Sequence, residues 1–458
     1  MKRIVALLLT LACCLGLFGC KKAEEPVPST APTMPTEPPH QHTFTDWTQK
    51  SASSCTREGR EERLCTACNY KDTRAIPTSA HQKRDNNNLC KNCMYVFVDS
   101  EAKVAELGVV SDSWYGAGVV ANYAWDIKCW NGLVYRAGGD YDKNSGNTIF
   151  LAYDNAESKW KVTGSADDEA IHGFVEINGT LYAAGIDATS GWEWGNYYVL
   201  QEDGTWKQVR NLPNGIHNFD MIEHGGKIFA GLGTETVGNT VAVSEDGGTT
   251  WKFVPLYKDG KLFDLSSYKW TRTYKFVAHN GQLHALLSMQ MGIGSKSMIF
   301  RYEDGKMVYE ADAYPLLAGG ISRNYWTGSF SFGDTCYLTA GNLYTVTDFS
   351  DPETFSTVPM PNKETVVDAF EKDGSIYVLT YSKNKNPHTH NTESYKIVIY
   401  KSTTGEEGSF EEVLSFDYSG IPLSFDTDGT CFYIGTGANL VSEKVGMTLR
   451  VIPDTESK

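Results

Sequence analysis

Beyond residue 95 the chain is written in short apolar or alternating runs, each four to ten residues long, punctuated by turn pairs. The unit is a strand, a two-residue turn and a second strand, first met at Cys129-Trp130-Asn131-Gly132-Leu133-Val134-Tyr135. Type I′ turns need φ > 0 at both central residues, which Asn-Gly and Asp-Gly tolerate best. The same unit recurs at Asn178-Gly179, Gly225-Gly226, Asn280-Gly281, Gly333-Asp334, Asp373-Gly374 and Asp428-Gly429, at steps of 47, 47, 55, 53, 40 and 55 residues. After each turn comes a second strand such as Leu181–Gly185, then a variable loop. A third strand such as Tyr197–Leu200 or Lys396–Tyr400 follows, and a fourth with an aromatic-x-x-Val flavour, as in Trp206–Val209. Four antiparallel strands per unit, seven units and no helical period predict an all-β, seven-bladed β-propeller over residues 95–458. The last unit runs out after its third strand, Thr448–Ile452. A ring with a free edge there would be a liability, so a strand from within Tyr95–Val110 is expected to complete it.

The pattern before residue 95 differs. Lys2-Arg3 followed by the apolar run Ile4–Phe18 reads as a signal peptide over 1–19, too short to span a bilayer. The run ends Leu17-Phe18-Gly19-Cys20, which resembles a bacterial lipoprotein lipobox. That resemblance implies diacylglycerol on Cys20, cleavage before it, and an extracytoplasmic protein anchored to the membrane by lipid. Residues 20–39 comprise the lipidated cysteine and a Pro/Thr/Glu-rich linker with no apolar period, which reads as a disordered tether.

Residues 40–94 hold His40, His42, Cys55, Cys65-Thr66-Ala67-Cys68, His81 and Cys90-Lys91-Asn92-Cys93. Two C-x₂-C knuckles separated by 21 residues have zinc-ribbon spacing, and the segment has too few apolar residues for a core without a staple. Structural Zn²⁺ is the expected cofactor. The segment also resembles small repeat modules on surface proteins of Gram-positive bacteria. That resemblance implies one site of His42 (or His40), Cys55, Cys65 and Cys68, and a partial one of His81, Cys90 and Cys93. A Cys₄ site from both knuckles competes with this partition, and disulfides compete with metal.

Composition narrows the function. The chain carries 56 acidic against 41 basic residues, a net charge of −15, which argues against nucleic acid as a partner. Of its eleven cysteines only Cys129, Cys336 and Cys431 fall in the repeats, which is no disulfide scaffold; they read as small buried hydrophobes. Ser244-Glu245-Asp246-Gly247-Gly248-Thr249-Thr250-Trp251 matches the S-x-D-x-G-x-x-W Asp box of sialidases and other BNR-type propellers. The resemblance implies that Ser244, Asp246, Gly248 and Trp251 build a turn, with Asp246 capping backbone N–H groups, and implies no catalysis by them. A sialidase-like glycoside hydrolase or lyase at the propeller mouth is the alternative function. The Phe-Arg-Ile-Pro-type start of that family is missing, and the arginines show no convergent spacing. His388-Thr389-His390 reads as an exposed polar loop. Trp125, Trp270 and Trp326 lie at or just before first strands, and Trp192 and Trp194 in a Gly/Ser loop, so that blade geometry would gather them at the ends of the ring. Such rings can stack on sugars or on peptide side chains. The expected role is non-enzymatic recognition of a glycan or a surface protein.

Overall fold

The computed structural model describes residues 40–85, 87–108, 123–139, 146–291, 294–313, 328–440 and 446–453. Cys20 with the leader and linker, and Trp326, lie outside the described residues. The fold is all-β. Among the described residues the one helical element is a 3₁₀ turn at Pro352–Thr354, and no helix is long and apolar enough to cross a membrane.

Two compact units divide the chain. The first comprises residues 40–53 and 58–77, and the second residues 54–57 with everything from residue 78 onward. The sequence pattern groups 40–94 as one module. The structure places residues 78–94 in the larger unit because Leu89, completely buried, packs in a core cluster with Trp160 and Tyr433.

The first unit is a three-stranded antiparallel sheet, Thr48–Ser51, Gly59–Leu64 and Lys71–Ile76. Its strands are polar and largely exposed, so no apolar core forms. The guanidinium groups of Arg63 and Arg74 lie over the Trp47 ring, 4.5 and 4.4 Å from its centroid. Asp72 and Glu61 pair those arginines at 2.7 and 2.6 Å. Exposed contacts of this kind contribute about 1 kcal/mol or less each, so such a sheet needs another source of stability.

The second unit repeats one pattern. The first sheet is Ala124–Trp130, Leu133–Gly138, Ile149–Asp154 and Lys159–Ser165. The second is Asp168–Ile177, Thr180–Ala188, Trp194–Leu200 and Trp206–Pro213. The third is His217–His224, Lys227–Gly233, Val241–Ser244 and Lys252–Phe253. The fourth is Trp270–His279, Gln282–Met291, Gly294–Glu303 and Lys306–Asp312. The fifth is Ser329–Phe332, Thr335–Thr339, Leu343–Val346 and Ser356–Val358. The sixth is Thr365–Lys372, Ser375–Lys385, Thr392–Ser402 and Glu411–Tyr418. The seventh joins Gly420–Thr427, Phe432–Asn439 and Thr448–Val451 to Val104–Glu106, which pairs antiparallel with Thr448–Val451 from the other end of the chain. Single residue pairs, Ile186–His217 and Gly233–Arg272, splice the second sheet to the third and the third to the fourth.

Turn chemistry explains the hairpins. Asn131-Gly132, Asn178-Gly179, Gly225-Gly226, Asn280-Gly281 and Asp373-Gly374 all have φ between 47° and 78° at both positions, the dihedral mark of type I′ turns. Gly333-Asp334 has positive φ only at the glycine. The seventh turn departs from the two-residue pattern: strand pairing stops at Thr427 and resumes at Phe432. There Asp428 Oδ1 accepts the amides of Thr430 and Cys431, both at 2.8 Å, and so stabilises a longer loop.

The second strands, such as Lys227–Gly233, are buried almost throughout, since a strand inside a sheet covered on both faces has no solvated side. Fourth strands such as Trp206–Pro213 are part exposed. The first strands of successive sheets touch in chain order, and Gly420–Thr427 of the seventh touches Ala124–Trp130 of the first. Carboxylates tie several of these contacts. Asp126, Asp220, Asp368 and Asp426 accept the backbone amides of Phe174, Phe276, Phe425 and Cys129, each in the next sheet around, at 2.8, 2.8, 3.2 and 2.8 Å.

Candidate metal centres and recognition loop

Two groups of four Cys/His side chains converge. His40, His42, Cys65 and Cys68 form one within the first unit, and Cys55, His81, Cys90 and Cys93 the other within the second. All donor atoms of a group lie within 4.8 Å of one another. Neither sequence partition is the one observed. Cys55 belongs with the second knuckle and not the first, both His40 and His42 serve the first, and the two knuckles do not share a Cys₄ site.

The reason is a structural duplication. In each centre a Cys-x-x-Cys-x-Tyr knuckle folds against a short segment that starts with histidine. Cys65 N donates to Tyr70 O at 3.0 Å, and Cys90 N to Tyr95 O at 2.8 Å. Thr66 N donates to Thr43 O, and Lys91 N to Gln82 O. His42 stacks on Tyr70 with centroids 4.5 Å apart, and His81 on Tyr95 at 4.2 Å. In the first copy the fourth donor is His40, two residues before His42. The corresponding residue of the second copy is Ser79, which cannot replace an imidazole, and Cys55 fills that place.

The donor geometry fits a tetrahedral ion. With arms of 2.3 Å to sulfur and 2.0–2.1 Å to nitrogen, a tetrahedron has S···S edges of about 3.8 Å and S···N edges of about 3.5 Å. The observed Cys55–Cys90 Sγ separation is 3.7 Å, far from a disulfide bond. The S···N separations are 3.4 Å for Cys65–His40, 3.5 Å for Cys68–His42 and 3.4 Å for Cys93–His81. All eight cysteines among the described residues are free thiols.

Electrostatics agree with the donor set. The His42 ring beside Cys65, with the Ala67 amide at 3.4 Å, draws that thiol down to about 5. Burial pushes the Cys90 thiol up, but the Asn92 and Gln82 backbone and the His81 ring outweigh it and bring it to about 6. Burial raises Cys93 to about 12, and the neighbouring Cys90 opposes a second negative charge. A divalent cation held here would supply the charge that lets both ionise. Four protein donors leave no open coordination position, so these centres have the make-up of structural sites.

The second candidate region is the loop between Thr180–Ala188 and Trp194–Leu200. It presents Trp192 to solvent, 54% exposed, and Trp194, the first residue of the strand that follows and paired with Pro213, is 44% exposed beside it. The loop is pinned from beneath. Asp167 Oδ1 accepts the hydroxyls of Thr189 and Ser190, both at 2.6 Å, and Arg210 bridges Asp167 Oδ2 at 3.3 Å to Gly191 O at 2.9 Å. The neighbouring Asp168 is fully buried. Its Oδ2 accepts the Tyr198 hydroxyl and Asn196 Nδ2, the latter at 2.9 Å, while Oδ1 has no hydrogen-bond partner among the described residues. Burial lifts its carboxyl to about 7 against those two donors. Gly185 makes room for it, since a Cβ there would sit 2.5 Å from Asp168 Oδ2.

The other tryptophans are placed differently. Trp125 donates Nε1 to Gly139 O at 2.9 Å and packs, part buried, against a core cluster that includes Phe219 and Tyr274. Trp270 lies under the Arg272 guanidinium at 4.9 Å. In the Ser244–Trp251 turn, Ser244 Oγ accepts the Gly248 amide at 2.7 Å, and Asp246 accepts the Thr250 amide and hydroxyl at 2.8 and 2.7 Å. The Thr250 contacts and Ser244 hold Asp246 down at about 2. Trp251 Nε1 donates to Asn211 Oδ1 of the second sheet at 3.1 Å. Cys336 is buried, whereas Cys129 and Cys431 are partly exposed. His388 and His390 lie in an exposed loop.

No family model and no curated protein matches the chain. Among solved structures it is similar to the β-propeller domain of the trilobed protease from Pyrococcus furiosus, with 9% identity and a TM-score of 0.42 over 72% of this chain and 93% of that one. It is also similar to PorZ, a surface component of the type-IX secretion system of Porphyromonas gingivalis, with 11% identity and a TM-score of 0.42 over 86% and 55% of the two chains. A computationally designed protein aligns at 8% identity and a TM-score of 0.39 over 72% and 96%. Likeness at this level assigns no activity.

Proposed function

We propose that this chain is a lipid-anchored, extracytoplasmic recognition protein. In this reading Cys20 carries the lipid, the linker to residue 39 is a tether, and the two Cys/His centres each hold a structural Zn²⁺. The seven four-stranded sheets form a seven-bladed propeller. Support for the ring comes from the cyclic contact of the first strands, seventh back to first. Support for zinc comes from the donor separations.

The observation that carries the recognition reading is the pair of exposed indoles at Trp192, on a loop held by the Asp167–Arg210 network, and Trp194, at the start of the strand that follows. Exposing two large rings in water is unfavourable unless a partner covers them, and pinning the loop beforehand lowers the ordering cost of binding. The two rings offer stacking faces for the apolar C–H faces of sugar rings, so a glycan is the first candidate ligand and a surface protein the second.

The test is binding of the purified chain to a broad glycan array, beside Trp192→Ala/Trp194→Ala. Both rings are exposed, so the double variant should fold normally. Glycan binding by the native chain that the variant lacks is the expected result. Silence on the array, together with equal capture of surface proteins by both forms, would refute the loop as the recognition site.

A further inference from the structure

The second Cys/His centre stands at the head of a segment that reaches both ends of the series of sheets. Residues 94–96 lie along the outer edge of the first sheet. Tyr95, the ring on which His81 stacks, bridges Lys159, Val96 N donates to Ser158 O at 2.7 Å, and Trp160 N donates to Met94 O at 3.0 Å. The same segment then crosses to the seventh sheet. Arg450 Nη2 donates to Asp99 O at 2.9 Å, Val104–Glu106 pairs with Thr448–Val451, and Leu107 N donates to Thr448 O at 2.9 Å. It is locked back to its origin, since Trp160 Nε1 donates to Leu107 O at 2.8 Å and Asn88 Nδ2 to Glu106 O at 2.9 Å. Leu89, Val96 and Leu107 share one buried cluster with Tyr153 and Trp160 of the first sheet and Tyr433 of the seventh.

We propose that the Cys55–His81–Cys90–Cys93 centre is a metal-dependent clasp that holds the first sheet to the seventh. The proposal rests on the metal reading above. The first strands of the two sheets touch and share the Asp426–Cys129 bond, whereas their outer strands are joined through this strap, whose own fold in residues 78–93 has few regular hydrogen bonds. Its hairpin, Lys83–Arg84 with Asn87–Cys90, has two residue pairs. A two-stranded hairpin that short does not hold itself together in water. The bound ion would fix three points of it, His81, Cys90 and Cys93, and tie them to Cys55, 26 residues before His81. Without the ion the strap loses its anchor at the head, and the edges it covers on the first and seventh sheets open more often. The first centre lies in the other compact unit and has no such role.

The experiment is metal analysis with hydrogen exchange on the full chain as purified, comparing Cys55→Ser with Cys68→Ser. Each variant is expected to lose one equivalent of zinc. Only Cys55→Ser should speed exchange at Val104–Leu107, Thr448–Val451 and Lys159–Ser165, by roughly tenfold or more, which corresponds to about 1.4 kcal/mol of lost local stability. Should Cys55→Ser fail to fold, zinc titrated back into chelator-treated native chain gives the same reading, with exchange at those strands tracking occupancy. Loss of the metal with unchanged exchange overturns the clasp and leaves the metal reading standing. Retention of both metals by Cys55→Ser overturns the ligand set, and a native chain without metal overturns the metal reading and the clasp together.

Discussion

Asp168 provides a measurement of how the floor of the tryptophan loop is built. Its carboxyl is completely buried, and burial pushes it up to about 7 from the ordinary 3.8. A carboxyl whose folded value is raised leaves stability untouched below the unfolded value, where both states are protonated. Its ionisation then opposes folding increasingly up to the folded value and fully above it. Ionising a carboxyl raised from 3.8 to about 7 opposes folding by about 4 kcal/mol at most, and relaxation around the charge reduces that to about 2–4 kcal/mol. Asp168→Asn keeps the shape and removes the charge. Its carbonyl can accept from Tyr198 and Asn196, and its NH₂ takes the place of the partnerless Oδ1. Burying that NH₂ costs about 1–3 kcal/mol at every pH, whereas the charge term appears only above about pH 4. Urea unfolding followed by tryptophan fluorescence at pH 4.5 and pH 8 separates the two. The native chain should lose about 2–4 kcal/mol more than Asp168→Asn between those conditions. Stability curves that run parallel with pH would refute a buried, ionising Asp168.

Two further outcomes follow from single contacts. Trp160→Phe keeps the buried ring but removes the bond to Leu107 O, and should cost about 1–3 kcal/mol because a buried carbonyl is left unmet; a chemical denaturation midpoint equal to that of the native chain would contradict this. Asp246→Ala removes the acceptor of the Thr250 amide and hydroxyl, so the Thr250 amide should exchange faster and the thermal midpoint should fall. Because Asp246 is held below its ordinary value, its contribution is present at neutral pH and disappears as pH drops through about 2, so native chain and variant should converge in strong acid.

The metal centres show where reading the sequence stops. His40, His42 and the two knuckles are visible as residue types at ligand spacing, and Cys-x-x-Cys-x-Tyr occurs twice in plain sight at Cys65–Tyr70 and Cys90–Tyr95. That doubled tyrosine, each stacked on a histidine, was the signal that could have paired His42 with the first knuckle and His81 with the second. The destination of Cys55 was not legible. It lies between the first two strands of one unit yet belongs to a four-residue piece of the other, and spacing along the chain carries no information about such a crossing. The four aspartates that accept amides of the next sheet around were missed for the same reason, since each partner lies 48 residues or more away in sequence.

What the sequence determined by itself is therefore local. The hairpins follow from Asn-Gly, Asp-Gly and Gly-Gly pairs because only such residues hold positive φ cheaply, and the strands follow from short apolar runs between them. The need for a terminal strand beside Thr448–Val451 was also legible, because an unpaired edge is costly whatever lies around it. Tertiary structure decided which residues do that job, which thiols share a centre, which indoles stay in water and which aspartate is starved of it. Trp125 at a first strand and Trp192 in a Gly/Ser loop were both candidate ligand-binding rings in the sequence, but Trp192 is held out on a pinned loop and Trp125 packs, part buried, against a core cluster. Those outcomes depend on desolvation and on distances between residues far apart in the chain, and both exist only once the sheets have packed.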